Sequence, residues 1–129
     1  MGTNTEVLRE GYAAFARQDI PAVLGMFDPG IDWTTPDSVP IGGHFVGHDG
    51  VVGFFMSLGE NYSALEVTPS EFIEQGDRVV ALGALKGTGA KSGTSFDIPF
   101  SHVWTFKNGR ATAFFEYYDT ARMNEALGG

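Results

Sequence analysis

The sequence predicts an α+β fold in which helices come first and antiparallel strands follow. Two observations lead to this prediction. In the first half of the chain, apolar residues recur at the spacing of helices, whereas in the second half apolar and polar residues alternate as in strands with one buried face. With 129 residues and no linker, internal repeat or low-complexity tract, residues 1–129 are expected to form one domain.

The first two helices are predicted from the signals at their ends. Residues 3–6, Thr-Asn-Thr-Glu, resemble a capping box, so the first helix should run from there to about Arg17. Asp19 begins a second, shorter helix, whose apolar stripe includes Phe27. The turn residues 28–30, Asp-Pro-Gly, are expected to end that helix.

A short strand and a third helix are predicted next. The strand covers residues 31–35 and is followed at 36–47 by an irregular loop, rich in Gly and Pro, that could rim a pocket. His48 or Asp49 is expected to cap the third helix, which ends near residues 59–61.

Four strands in a meander are predicted for the second half, followed by a terminal helix. The strands cover residues 63–74, 78–88, 95–106 and 110–118. Asp119 suits the N-cap of the last helix.

Composition excludes several classes of function. The formal net charge is −8, with the basic residues scattered, so binding of nucleic acid is not expected. No run approaches the roughly 20 apolar residues needed to span a membrane, and the first ten residues lack the pattern of a signal peptide. With no cysteine, the sequence favours a soluble, cytoplasmic protein without disulfides. His44 and His48 lie in or beside a Gly-rich loop, and no metal site is expected.

The candidate chemistry lies on the last two strands. His102 occupies the face that also carries large rings, and a three-residue loop with Gly109 at a bulge would place Phe114 opposite it. Glu116 would then lie on a diagonal, roughly 7–8 Å from His102 between backbones. The other inward residues of these strands include Phe100, Trp104 and Tyr118.

These two ionisable residues are the candidate acid and base. His102 can exchange a proton near neutral pH, and Glu116 among rings would be desolvated unless His102, Tyr118, Tyr12 or a water contacts it. Two alternatives remain open: His102 is a core histidine bonded to a neighbour, or a one-residue slip in register turns Glu116 to solvent.

Several segments of the sequence resemble one known family. They are Phe15-Ala16-Arg17-Gln18-Asp19-Ile20 with Phe27, Pro40-Ile41-Gly42-Gly43-His44-Phe45-Val46-Gly47, His102-Val103-Trp104-Thr105-Phe106 with Gly109, and Glu116-Tyr117-Tyr118-Asp119. With the order of elements, they resemble the SnoaL-like, ketosteroid isomerase-related branch of the nuclear transport factor 2-like superfamily. The resemblance implies a cone in which helices and a curved, mostly antiparallel sheet enclose an apolar pocket. It also implies a homodimer that pairs through its sheets.

The resemblance implies a cofactor-free enzyme of isomerase, cyclase or lyase type. Its substrate would be a hydrophobic, carbonyl-bearing small molecule such as a polyketide or terpenoid intermediate. We expect His102 and Glu116 to exchange protons with it, and Trp33 or Tyr12 to hold the developing enolate oxygen. The expected pocket residues are Tyr12, Phe15, Trp33, Thr35, Phe54, Phe100, Trp104, Phe114 and Tyr118.

Two other functions are compatible with the family. One is a non-catalytic module that binds a small ligand or only dimerises. The second is an epoxide hydrolase, which is disfavoured because Phe100 stands where that pattern has Arg. Steroid isomerases carry their general base at the position of about Thr35, which cannot serve as a base, so their mechanism is not expected here.

Overall fold

The computed structural model describes residues 3–128 and confirms the α+β prediction. The helices are α1 (Asn4–Ala16), α2 (Ile20–Gly25), α3 (Gly47–Asn61) and α4 (Thr120–Ala126). The strands are β1 (Phe27–Thr35), β2 (Gly43–Val46), β3 (Tyr62–Gln75), β4 (Arg78–Gly89), β5 (Ser95–Lys107) and β6 (Arg110–Tyr118). No helix in the described range is long and apolar enough to cross a bilayer.

At three of the four helix N-termini, the N-cap is the residue that the sequence predicts. Thr3 Oγ1 accepts from the Glu6 backbone N–H at 3.1 Å, and the Glu6 carboxylate accepts from the Thr3 N–H, which is the predicted capping box. Asp19 and Asp119 cap α2 and α4 through their side chains. The prediction for α3 was wrong, because its N-cap is Val46 without a side-chain hydrogen bond.

The region between α2 and α3 differs from the prediction. Phe27 does not belong to α2, which ends at Gly25, but opens β1 and pairs with Ala111 of β6. The Ala111 N–H donates to the Met26 carbonyl at 2.9 Å, so the chain leaves the helix directly into the sheet. The predicted loop contains β2, which pairs antiparallel with β1.

One curved sheet of six strands has the order β2-β1-β6-β5-β4-β3. Only the β1–β6 pair is parallel. Helix α1 packs against β3, α3 against β1, and α4 against β5. The inner face of the sheet therefore forms a core with α1 and α3 at one end and with α4 at the other.

The β5–β6 hairpin has a different register from the predicted one. Lys107 pairs with Arg110, so the turn holds two residues, Asn108 and Gly109, with φ of 54° and 77°. The extra residue lies within β6 instead, because Thr105 pairs with Ala113 and the next pair skips Thr112.

This register changes which residues face each other. His102 lies directly opposite Glu116, and Phe114 lies opposite Trp104. The predicted arrangement, with Phe114 opposite His102 and Glu116 on a diagonal, is therefore wrong by two residues. Such a shift keeps every side chain on its face, so His102 and Glu116 share the inner face as predicted.

Candidate active site

Four polar side chains form one chain of hydrogen bonds on the inner face of the sheet. Trp104 Nε1–H donates to Tyr12 Oη at 3.0 Å. Tyr12 Oη lies 2.7 Å from His102 Nδ1, and His102 Nε2 lies 2.8 Å from Glu116 Oε2. The chain thus joins α1 to the two strands that carry the predicted acid and base.

Aromatic rings hold the imidazole in place. His102 is only 4% exposed, and its ring stacks on Phe100 at 4.0 Å between centroids and lies nearly parallel to Tyr12 at 5.9 Å. Phe114 presents its edge at 4.8 Å. With a partner on each nitrogen and rings on its faces, the imidazole has one well-defined orientation.

The hydrogen bonds also indicate where the protons are. Burial raises the pKa of Tyr12 well above its usual range, the hydrogen bond from Trp104 opposes this, and the charge of Glu116 raises it further. Tyr12 therefore remains a phenol. Because its oxygen accepts from Trp104, its proton goes to His102 Nδ1, and His102 then donates from Nε2 to Glu116. Each donor has one acceptor when His102 is neutral and Glu116 is a carboxylate.

A cavity of about 70 Å³ adjoins this chain of hydrogen bonds. Its walls include the predicted residues Tyr12, Phe15, Trp33, Phe54, His102, Trp104, Phe114 and Glu116. The cavity is also lined by Leu8, Gly11, Val23, Met26, Phe27, Phe55, Leu58 and Val67. The Gly11, Met26 and Val67 positions carried no signal in the sequence that distinguishes them from ordinary core.

Three of the predicted pocket residues do not line this cavity. Thr35 is buried, but its Oγ1 accepts from the Gly43 N–H at 3.1 Å at the end of the β1–β2 pair. Phe100 and Tyr118 pack in the second part of the core, beside α4. The cavity is therefore shifted toward α1 and α3, away from the end of the sheet that α4 covers.

The two other histidines are apart from the cavity. His44 contacts the Asp32 carboxylate on the exposed side of the β1–β2 pair. His48 is not a cap, since its Nε2 lies 3.0 Å from the Phe27 carbonyl oxygen. Within residues 3–128, no group of three or more His, Asp or Glu side chains is placed to hold a metal ion.

The fold is that of the nuclear transport factor 2-like proteins. The model of the SnoaL-like domain family matches residues 8–114. The chain belongs to that family.

Solved structures agree with this assignment. An NTF2-like protein of unknown function from Burkholderia pseudomallei is 39% identical, covers 100% of both chains and has a TM-score of 0.93. TerC, crystallised with polyporic acid, is 32% identical over 98% of both chains, with a TM-score of 0.90. A protein from Jannaschia sp. described as a SnoaL-like polyketide cyclase shares the fold at 20% identity, with coverage of 98% and 92% and a TM-score of 0.84. No curated protein matches the sequence.

Proposed function

We propose that this protein is a cofactor-free acid–base enzyme, of isomerase, cyclase or lyase type, for a hydrophobic carbonyl-bearing small molecule. The observation that carries the proposal is a carboxylate, Glu116, bonded to a buried imidazole, His102, in the wall of an otherwise apolar cavity. A carboxylate whose side chain is only 12% exposed loses much of its hydration, which costs folding free energy. Acid–base catalysis is a function that benefits from such a group.

Glu116 is the base in this proposal. Its Oε2 is bonded to His102, while Oε1 has no protein partner among the described residues. Oε1 removes the proton beside the carbonyl, and the electron pair of that C–H bond moves into an enolate. Glu116 then returns the proton to another carbon, which is isomerisation, or to an oxygen after ring closure. His102 holds the carboxylate in place and Tyr12 fixes the tautomer of His102.

A surface groove gives the ligand a route to the cavity. The groove runs along α1, α3 and β3, and it shares Tyr12, Phe15, Phe55, Leu58 and Val67 with the cavity wall. At this junction the ring centroids of Phe15 and Phe55 lie 5.3 Å apart. The cavity is smaller than the roughly 300–1,000 Å³ of most ligand sites, so a substrate larger than a few atoms must displace these side chains.

The relative that was crystallised with polyporic acid supports the proposed ligand class. Polyporic acid is an aryl-substituted hydroxyquinone, and it is both apolar over much of its surface and rich in carbonyl oxygens. Since TerC is 32% identical over 98% of this chain, a hydrophobic carbonyl compound is the ligand class we carry over.

The test is exchange of α-protons for deuterium in acetophenone and cyclohexanone, followed by NMR in D2O. We expect the wild type to accelerate exchange and Glu116→Gln to lose about 10²- to 10⁴-fold of that acceleration. Glu71→Gln is the matched control, because Glu71 is exposed on β3 and outside the cavity wall. Equal exchange by wild type and Glu116→Gln would remove the proposal.

A non-catalytic ligand-binding module is the second candidate, and the small cavity favours it. The same NMR samples separate the two candidates. Ketones that shift the resonances of cavity residues without any exchange would support the module.

We also propose that two copies pair through the outer faces of their sheets. Of the described large apolar residues that are exposed, four lie there: Val46, Ile73, Phe115 and Tyr117. Phe115 pairs with Val103, and Tyr117 pairs with Ser101, so the centre of the face is uncharged. On a chain with a net charge of −8, an uncharged apolar face suits a second copy of itself.

A further inference from the structure

Trp33, a residue that lines the cavity, has a side-chain nitrogen without a hydrogen-bond partner among the described residues. Trp33 is 5% exposed. Among the buried side-chain nitrogen and oxygen atoms in the described part of the chain, its Nε1 is the one that has no hydrogen-bond partner. Buried donors are nearly always paired in folded proteins, and an exception calls for a reason.

The indole ring is held by other rings, so it cannot turn toward a distant acceptor. It stacks on Phe114 at 3.8 Å with 21° between planes. Trp104 and Phe55 each meet it edge to face at 5.7 Å. A ring packed on several sides keeps its N–H in one place for a ligand.

The other donors at the cavity are already in use. The Trp104 N–H bonds to Tyr12, the Tyr12 proton bonds to His102, and the His102 proton bonds to Glu116. From the sequence, Trp33 and Tyr12 are the candidates to bind the carbonyl oxygen. The Tyr12 proton is already hydrogen-bonded to His102, so the Trp33 N–H is the donor that can bind this oxygen.

We propose that the Trp33 Nε1–H binds the carbonyl oxygen of a neutral ligand. This inference rests on the proposed function, because the ligand is taken to be the substrate of Glu116. When Glu116 removes the α-proton, negative charge develops on the oxygen that Trp33 holds, and the N–H bond strengthens without giving up its proton. Trp33 touches the reacting carbonyl and is thus assigned a catalytic part.

The charge of Glu116 restricts the ligand further. A carboxylate or phosphate in the same small cavity would lie close to another anion, which a poorly solvated site disfavours. The ligand class is therefore a carbonyl compound with apolar flanks that binds in an uncharged form, and not a carboxylate or a phosphate.

Indole NMR signals test this directly, because the chain has only two Trp residues. The wild type, labelled with 15N, is titrated with cyclohexanone and separately with methylenecyclohexane, which has the same shape but no oxygen. We expect cyclohexanone to move the Trp33 indole proton downfield, as a new hydrogen bond does, and methylenecyclohexane to leave it without a downfield shift. The Trp33→Phe spectrum assigns the signal.

The variant supplies a second measurement. Trp33→Phe should bind cyclohexanone about three- to tenfold more weakly and methylenecyclohexane equally well. If the N–H instead lies over a neighbouring ring, the variant lowers affinity for both compounds alike, and the proposal is overturned. It is also overturned if neither compound binds, or if cyclohexanone binds without moving the Trp33 signal.

The same titration separates this inference from the proposed function. A downfield shift without α-proton exchange leaves Trp33 as a carbonyl-binding donor and removes the enzyme. Exchange that depends on Glu116 without a Trp33 shift keeps the enzyme and overturns this role for Trp33.

Discussion

His102 has a partner on each ring nitrogen, and the two partners differ in kind. Tyr12 is kept as a phenol by its burial, whereas Glu116 is 12% exposed and bonded by only one of its oxygens. The imidazole therefore accepts a hydrogen bond from Tyr12 at Nδ1 and donates one to Glu116 from Nε2. At the residue scale, this polarity supports the proposal that Glu116 is the base and that His102 holds it in place.

Tyr12→Phe should destabilise the protein, because it removes the hydroxyl that joins Trp104 to His102. The change leaves the Trp104 N–H and His102 Nδ1 without partners, so we expect a loss of about 1–3 kcal/mol in the free energy of unfolding, measured by urea denaturation. Tyr117→Phe on the exposed outer face is the control, with a change under about 0.5 kcal/mol. Equal values for the two variants would contradict the hydrogen-bonded chain.

Alkaline pH should unfold the protein through its buried tyrosines. Burial raises the pKa of Tyr12, Tyr62 and Tyr118, and the charge of Glu116 adds to each. Stability from these groups is present below about pH 10 and is lost above it, because the unfolded chain then releases protons that the native state keeps. Urea midpoints should fall between about pH 8 and about pH 11. A smaller fall is expected for Tyr62→Phe, and an unchanged wild-type midpoint would contradict these burial effects.

At the scale of elements, strand alternation predicted most of the sheet. The inward positions of β5 follow a strict period of two, which is why its bounds and the shared face of His102 and Glu116 could be predicted. The register could not, because the residues around Thr112 are small and carry no sign of a bulge. Nor could Phe27 be placed, since it lies at helical spacing from the apolar residues of α2.

The contact between Tyr12 and His102 was beyond sequence reasoning for another reason. The two residues are 90 positions apart, and their distance depends on how α1 packs across the sheet. Periodicity gives the inward face of each element but not the offset between elements. The sequence suggested several possible partners for Glu116, of which the structure shows His102, but it did not predict that Tyr12 would contact His102.

Two glycines should respond oppositely to alanine. A Cβ at Gly83 of β4 would overlap the Thr68 carbonyl oxygen and lie 2.7 Å from Pro69 Cα, so Gly83→Ala should cost about 1–3 kcal/mol. Gly53 on α3 has no atom within 4 Å of such a Cβ, and Gly53→Ala should stabilise the helix by about 0.5–1 kcal/mol. Thermal and urea denaturation measure both changes. A Gly83→Ala variant that is as stable as the wild type would contradict the close approach of β3 to β4 at Gly83.

At the scale of the whole molecule, the two proposed functions lie on opposite faces of the sheet. Its inner face holds the acid–base chain, whereas its outer face carries exposed Phe115 and Tyr117. Neighbouring positions on one strand alternate between these faces, so Glu116 lies between two outer-face residues. A change at Phe115 or Tyr117 therefore acts next to Glu116.

Phe115→Asp should convert the proposed dimer into a monomer. The substitution places a charge in the uncharged centre of the outer face, and two copies would then bring like charges together. Sedimentation equilibrium measures the result. Met56→Asp is the matched control, because Met56 is 64% exposed but lies on α3. A wild type that sediments as a monomer would overturn the dimer without affecting the site.

The most direct measurement is the 15N spectrum of the His102 ring near neutral pH, assigned by comparison with His102→Gln. We expect Nε2 in the protonated range and Nδ1 in the unprotonated range, since Tyr12 donates to Nδ1 and Glu116 accepts from Nε2. A proton on Nδ1 would contradict the neutral ring that leaves Glu116 as the base and Trp33 as the free donor.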